Sequence, residues 1–165
     1  MIEEEEISVR MDSPDDIDAI AWLYSESFGS TRPRDDVEQY LKPDGTWALL
    51  ATMGGTEAMT PAGFVLARTI LDETEVFSVG VVPLYQRRGV GETLMKGTQH
   101  IAAIGGARTI FLEVGTDNPA AQSLYEKSGY TIVGRRPDYY LRDDGKRVAA
   151  LLLRLTLDAQ NGINS

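Results

Sequence analysis

Gln86-Arg87-Arg88-Gly89-Val90-Gly91 is the stretch on which the reading of this chain turns. It follows the strand-like run Val76-Phe77-Ser78-Val79-Gly80-Val81-Val82 and opens a helix-like run from Glu92 to Ile104. A glycine-rich turn between a strand and a helix aims several backbone N–H groups at one point. The positive end of the helix dipole lies behind them. The glycines let the backbone come close to an anion, and Arg87 and Arg88 flank it with charge. The turn predicts a cradle for a phosphorylated ligand.

On the N-terminal side, Ile7, Val9 and Met11 alternate with polar residues as in a first strand. Ser13 reads as an N-cap with Pro14 behind it, and Ile17, Ile20, Ala21, Tyr24 and Phe28 recur at helical spacing. A shorter helix is expected over Arg34 to Leu41, then a strand over Thr46 to Thr52. Residues 53–62, with Gly54-Gly55 and Pro61, read as a flexible connection. Gly63 to Ile70 and Glu75 to Val82 are strand-like. After the glycine turn and its helix, Gly105-Gly106 stops the chain and Thr109 to Val114 forms a short buried strand. Asn118 caps a helix that begins at Pro119 and ends at Gly129. Tyr130 to Val133 and Arg147 to Leu157 are the last strands, joined by a long connection containing Asp143-Asp144-Gly145. This order predicts an α/β fold: a mixed sheet, helices on both faces, and a parallel strand–helix–strand crossover at its centre. One domain is expected over residues 1–157, with a frayed tail at 158–165.

The chain has 165 residues, 42% hydrophobic and 25% charged, an ordinary globular balance. With no cysteine and one histidine, His100, a thiolate nucleophile is excluded and no metal site is expected. His100 falls off the apolar face of its helix and is expected to be exposed, with no role. A net charge of −9 counts against nucleic-acid binding. The acidic start Met1-Ile2-Glu3-Glu4-Glu5-Glu6 is not laid out as a signal peptide, and no apolar run reaches membrane-span length. A cytoplasmic setting without membrane contact is the expectation.

Three phosphate-binding designs compete for the turn. A nucleotide-hydrolysing loop needs Lys and Ser/Thr after its last glycine, whereas Gly91 is followed by Glu92-Thr93. A dinucleotide fingerprint needs a third glycine where Leu94 stands, and it opens a fold rather than following several strands. The third is the pyrophosphate loop of acetyl-coenzyme A-dependent N-acetyltransferases. Gln86 to Gly91 resembles that family's (Gln/Arg)-x-x-Gly-x-(Gly/Ala) loop, and Val79-Gly80-Val81-Val82-Pro83 resembles its splayed fourth strand. Leu112-Glu113-Val114, Asp117-Asn118-Pro119-Ala120-Ala121 and Leu124-Tyr125-Glu126-Lys127-Ser128-Gly129-Tyr130 resemble the family's downstream segments at the expected spacing. The detailed resemblance spans about Glu75 to Leu155. It implies the GNAT fold over the whole chain. Within the family the chain is most similar to the RimI type, which acetylates the N-terminal alanine of a ribosomal protein. Gly134-Arg135-Arg136-Pro137-Asp138-Tyr139-Tyr140 carries much of that likeness.

The resemblance implies direct attack of an amine on acetyl-coenzyme A, and it assigns roles residue by residue. Glu113 takes the position of the general base. It is also a carboxylate in an otherwise apolar run, a setting that suits proton acceptance near neutrality. Tyr125 takes the position of the general acid toward the departing thiolate, while its ring packs the helix on the sheet. Arg87, Arg88, Gly89, Val90, Gly91 and Glu92 would cradle the pyrophosphate. Val79, Gly80 and Val81 would offer backbone hydrogen bonds to the pantetheine arm and an N–H for the oxyanion. Asn118 would add a cofactor contact to its capping role. Tyr139 and Tyr140 would grip the acceptor, the N-terminus of a small-subunit ribosomal protein. Arg135-Arg136 could pair with carboxylates or coenzyme phosphate, and a solvated strand end is the favoured reading. Two other readings stay open: transfer to a small-molecule or lysine amine, and a non-catalytic acyl-coenzyme A sensor on the same fold.

Overall fold

The computed structural model describes residues 5–55 and 58–158. Residues 1–4, residues 56 and 57, and the expected tail beyond Asp158 lie outside them. The strands form one sheet in the order β1 (Glu6–Met11), β2 (Thr46–Gly54), β3 (Met59–Ile70), β4 (Glu73–Val81), β5 (Thr109–Gly115), β7 (Arg147–Thr156), β6 (Thr131–Leu141). The chain also divides into two compact units, one of residues up to Arg68 with Ser78–Thr98, the other of Thr69–Phe77 with residues from Gln99 on. Strand β4 (Glu73–Val81) contributes to both.

The first unit holds β1 (Glu6–Met11), α1 (Ile17–Phe28), α2 (Pro33–Leu41), β2 (Thr46–Gly54), most of β3 (Met59–Ile70) and the first turns of α3 (Val90–Ile104). β1 pairs antiparallel with β2, and β2 with β3. Its core is apolar: Ile20 and Leu23 of α1, Val37 of α2, Phe64 and Leu66 of β3, and Leu94 and Met95 of α3 are all fully buried. The hydrophobic residues recur at helical spacing in α1 and in unbroken runs in β2 and β3, which is why both strands are buried on two faces.

The entry to α1 is a single 3-10 turn, Pro14–Asp16. The Asp16 carboxylate accepts from Arg10 Nη2 at 2.6 Å and from the Ser13 backbone N–H at 2.8 Å. These contacts, the arginine foremost, pull the Asp16 pKa down to about 2. A carboxyl depressed on folding contributes stability above its unfolded value, about 3.9, and loses it as pH falls toward 2. Arg10→Ala is therefore expected to cost on the order of 1 kcal/mol at neutral pH, because the arginine is half exposed. The difference from the parent should vanish in urea melts run near pH 2.

The expected connection over residues 53–62 is corrected. Met53 and Gly54 finish β2, and β3 begins at Met59, so the connection between the two strands shrinks to residues 55–58, of which 56 and 57 lie outside the described residues. Gly and Pro suggested a break, but the register slips between Ala51 and Thr52, and Pro61 faces Thr52 beside that irregularity. A proline without an N–H is tolerated where the ladder is already interrupted.

The second unit holds the first half of β4, β5 (Thr109–Gly115), α4 (Pro119–Lys127), β6 (Thr131–Leu141) and β7 (Arg147–Thr156). β4 and β5 are parallel from Glu73↔Thr109 to Val76↔Leu112, the crossover expected from the sequence. β5 pairs antiparallel with β7, and β7 with β6. Asn118 caps α4 as expected, its Oδ1 accepting from the Ala121 N–H at 3.1 Å, and Gly129 leaves the helix at φ 97°.

Here too an expected boundary moves. The strand read as Tyr130 to Val133 continues to Leu141, and the long connection shrinks to Arg142 through Lys146. β6 does so through two irregularities, between Ile132 and Gly134 and between Arg136 and Tyr140. Pro137, and Asp138 at φ 53°, occupy the second. These residues punctuate a sequence as a loop does, yet in an edge strand they make a bulge.

Candidate active site

The phosphate cradle belongs to the first unit. Arg87 and Gly89 both adopt left-handed backbone, at φ 62° and 88°, and α3 begins at Val90, two residues before the expected Glu92. Alternating left-handed residues running into a helix N-terminus form a concave nest of N–H groups. The glycine supplies its positive φ without strain. Gln86 Nε2 donates to the Val81 carbonyl at 3.0 Å, tying the turn to the end of β4. Arg88 differs from expectation: its Nη1 lies 2.8 Å from Glu5 Oε2 and its guanidinium stacks on Tyr85 at 5.7 Å. Its charge is shared with a carboxylate, while the nest itself is backbone. Backbone donors on a helix N-terminus are the chemistry a pyrophosphate requires, so the residues present fit a coenzyme A tail.

Upstream of the nest, Val79, Gly80 and Val81 end β4. The strand runs five residues past Val76, the last of its residues paired with β5. A Cβ added at Gly80 would fall inside van der Waals contact of Ser27 Oγ and 2.6 Å from Phe64 Cε1. A Cβ at Gly63 would lie 2.7 Å from the Gly80 carbonyl oxygen. Two glycines thus bring the backbones of β3 and β4 together under α1. The sequence singled out Gly80 for its backbone alone; Ser27 and Phe64, the groups that require a glycine there, were missed.

The carboxylate and phenols belong to the second unit. In the β5–β7–β6 register, Glu113 faces Leu152, Gly115 and Arg136 both face Ala150, and Tyr140 faces Val148. Positions two apart on β7 share a face, so Glu113, Arg136 and Tyr140 stand on one side of the sheet. There Arg136 Nη2 reaches across β7 to Glu113 Oε1 at 3.2 Å. Of the readings open for Arg136, pairing with a carboxylate is the one observed, on a side chain that stays more than half exposed. The small side chain of Ala150 leaves room for that bridge. Glu113 is one quarter exposed, a carboxylate within reach of solvent but not loose in it.

Tyr139 and Tyr140 form an edge-to-face pair with ring centroids 5.1 Å apart. Each is backed by an arginine, Arg136 over Tyr139 at 5.2 Å and Arg142 over Tyr140 at 4.9 Å. Arg142 was not singled out in the sequence, and its partner Asp117 entered only as the first residue of a family-like segment, with no role of its own. The i, i+2 spacing of Arg142 from Tyr140 is the signal that points to the pair.

Tyr125, on α4, is buried, and burial first and Tyr140 second push its phenol up to about 12. The group is protonated at every physiological pH, the state a proton donor needs. Its ring lies 6.2 Å from that of Tyr130, which is 2% exposed and whose hydroxyl has no partner among the described residues. A buried, unmatched hydroxyl costs about 1–3 kcal/mol. Tyr130→Phe is accordingly expected to raise stability by about 1 kcal/mol, read as a higher urea midpoint at unchanged slope. A lower midpoint would mean that the hydroxyl is satisfied.

Asn118 is exposed, its amide oxygen committed to capping α4. His100 is half-buried, not exposed as expected. Among the described residues no group of three or more His, Cys, Asp or Glu could hold a metal ion, and no helix is long and apolar enough to cross a membrane.

The family model for the acetyltransferase (GNAT) family matches residues 16–130. The chain belongs to that family. Its fold resembles the crystal structure of the ribosomal-protein-S18-alanine N-acetyltransferase from Escherichia coli, with a TM-score of 0.79 at 24% identity over 93% of this chain and 95% of that one. In sequence it is 35% identical over 91 residues to the E. coli [ribosomal protein bS18]-alanine N-acetyltransferase, across 55% of this chain and 62% of that protein. It is 41% identical over 90 residues to the N-alpha-acetyltransferase RimI of Mycobacterium tuberculosis, across 54% of this chain and 55% of that protein. The chain thus matches less than two thirds of the length of these relatives. The GNAT fold expected from the sequence, with its seven-stranded mixed sheet, is the fold observed.

Proposed function

We propose that this GNAT protein transfers the acetyl group of acetyl-coenzyme A to an N-terminal α-amine, that of a ribosomal protein in the cytoplasm. The observation that carries the reading is the Glu113 carboxylate. It is part-buried on β5 and shares a sheet face with Tyr140 in the register of β5, β7 and β6. The nest at Arg87, Arg88, Gly89, Val90, Gly91 and Glu92 holds the pyrophosphate, and Val79, Gly80 and Val81 hold the pantetheine arm by their backbone. Glu113 accepts the ammonium proton. The freed nitrogen attacks the thioester carbonyl carbon, the carbon–sulfur bond breaks, Tyr125 gives its proton to the departing sulfur, and the surplus proton of the new amide nitrogen leaves and restores the phenol. Tyr139 and Tyr140 hold the acceptor, and Asn118 adds its contact to the cofactor. The names of the relatives support the acceptor class.

A panel assay tests this. Peptides starting with alanine or serine, lysine-containing peptides with blocked N-termini, and polyamines are each incubated with acetyl-coenzyme A, and thiol release is followed. Turnover of an alanine- or serine-starting peptide is expected. Turnover confined to lysine side chains or polyamines would replace the acceptor. Tight coenzyme binding with no turnover on any amine would make the protein a sensor.

A further inference from the structure

Tyr140 sits beyond the second irregularity of β6. Between Arg136↔Ala150 and Tyr140↔Val148, β7 advances two residues while β6 advances four. A side chain placed by a bulge is aimed less firmly by the ladder than one in regular pairing, so its ring needs another restraint. Arg142 provides one, its guanidinium 4.9 Å from the ring centroid.

That guanidinium is itself held. Arg142 Nε donates to Asp117 Oδ2 at 2.8 Å and Nη2 to Oδ1 at 2.7 Å, a two-pronged pair that fixes the plane of the group. Asp117 lies in the turn from β5 to α4, which is pinned on both sides. The Thr116 N–H donates to the Ala149 carbonyl at 2.9 Å, and Gln122 Nε2 donates to the Gly115 carbonyl at 3.2 Å. Gly115 completes the arrangement. A Cβ there would collide with Asp117 Oδ1 and come within 2.5 Å of Arg142 Nη2.

Stability does not explain these features. Arg142 is 40% and Asp117 42% exposed, and ion pairs in that setting contribute about 0–1 kcal/mol. Yet a glycine, a pinned turn and a planar fork all serve one contact on the face of Tyr140. We propose that Arg142, locked by Asp117, is a positioning residue that aims Tyr140 at the acceptor and so sets acceptor affinity. The inference rests on Tyr140 as an acceptor-binding residue. A lysine at 142 would keep the charge but lose both the fork and the flat stack.

The test is a set of single variants, Arg142→Lys, Asp117→Asn and Tyr140→Ala, assayed with an alanine-starting peptide and acetyl-coenzyme A. Thermal melts accompany the assays. For Arg142→Lys and Asp117→Asn the acceptor KM is expected to rise about five-fold, the scale of a lost cation–π contact. kcat, the acetyl-coenzyme A KM and the melting temperature should stay near the parent values. A purely structural pair would shift the melt and both KM values together, which would overturn the proposal. An unchanged acceptor KM in both variants, with Tyr140→Ala still raising it, would overturn the positioning role and leave Tyr140 as an acceptor residue. No effect from Tyr140→Ala would remove the acceptor reading of Tyr140, and this inference with it. If Arg142→Lys fails to fold, Asp117→Asn decides by the same criteria.

Discussion

Glu113→Gln is expected to lower kcat about 10²-fold near pH 7 while the acetyl-coenzyme A KM stays within two-fold. Glutamine keeps the shape of the side chain and still offers Arg136 a carbonyl oxygen, but it cannot accept a proton. Arg136 is 55% exposed, so water takes over the lost charge partner and the melt should hardly move. The size of the loss also identifies the acceptor. An α-amine with a pKa of about 7.7–8.0 is already about one-tenth neutral at pH 7, so its deprotonation accounts for only about ten-fold of the rate. A lysine side chain near 10.4 is neutral in fewer than about one molecule in a thousand, so the same substitution would cost well over 10³-fold.

Raising the pH separates the base from any structural role. With an α-amine acceptor, the defect of Glu113→Gln should shrink to about ten-fold at pH 9, where solution deprotonation replaces the missing carboxylate. A structural defect would persist at every pH. If kcat changes less than three-fold at pH 7, Glu113 is not the base, and its contact with Arg136 is its whole purpose.

The parts legible in the sequence were those in which local chemistry and tertiary placement agree. The turn at Gln86 to Gly91 announced a glycine turn running into a helix, because the positive φ at Gly89 follows from residue type, although the helix starts at Val90 rather than at the expected Glu92. Asn118 and Pro119 announced α4 in the same way. The elements misjudged were those in which Gly and Pro act within strands. Gly54, Pro61 and Pro137 suggested connections, yet bulged hairpins accommodate them. The site divides along the same line. Glu113 stood out as a carboxylate in an apolar run, and Tyr125 and the tyrosine pair through the family resemblance. Arg136 and Arg142 did not: an arginine on a strand is ordinary until the register places it near a carboxylate two strands away, as with Arg136 and Glu113, and one in a hairpin connection until the fold brings a turn carboxylate to it, as with Arg142 and Asp117. Ser27 and Phe64 were invisible for a related reason, since what matters there is the space they leave at Gly80.

That space makes the second large prediction. Gly80→Ala is expected to lower the melting temperature by about 5–10 °C, corresponding to about 2–3 kcal/mol of overpacking. The added methyl would meet Ser27 Oγ and the Phe64 ring. Phe64 is fully buried, with Tyr24 and Phe28 at centroid distances of 6.1 and 6.3 Å, so it has no direction in which to yield. Ser27 can be removed. In the double variant Ser27→Gly/Gly80→Ala, part of the loss should return, with a coupling above about 0.5 kcal/mol in a double-mutant cycle. A melt unchanged by Gly80→Ala would mean that β4 and α1 are not in close contact. The acetyl-coenzyme A KM adds a second reading, because Gly80 belongs to the strand proposed to hold the pantetheine arm. If KM recovers with stability in the double variant, the methyl acts by displacing β4. If stability recovers and KM does not, the methyl itself occupies the path of the acetyl group, and Gly80 is required for the ligand as well as for the fold.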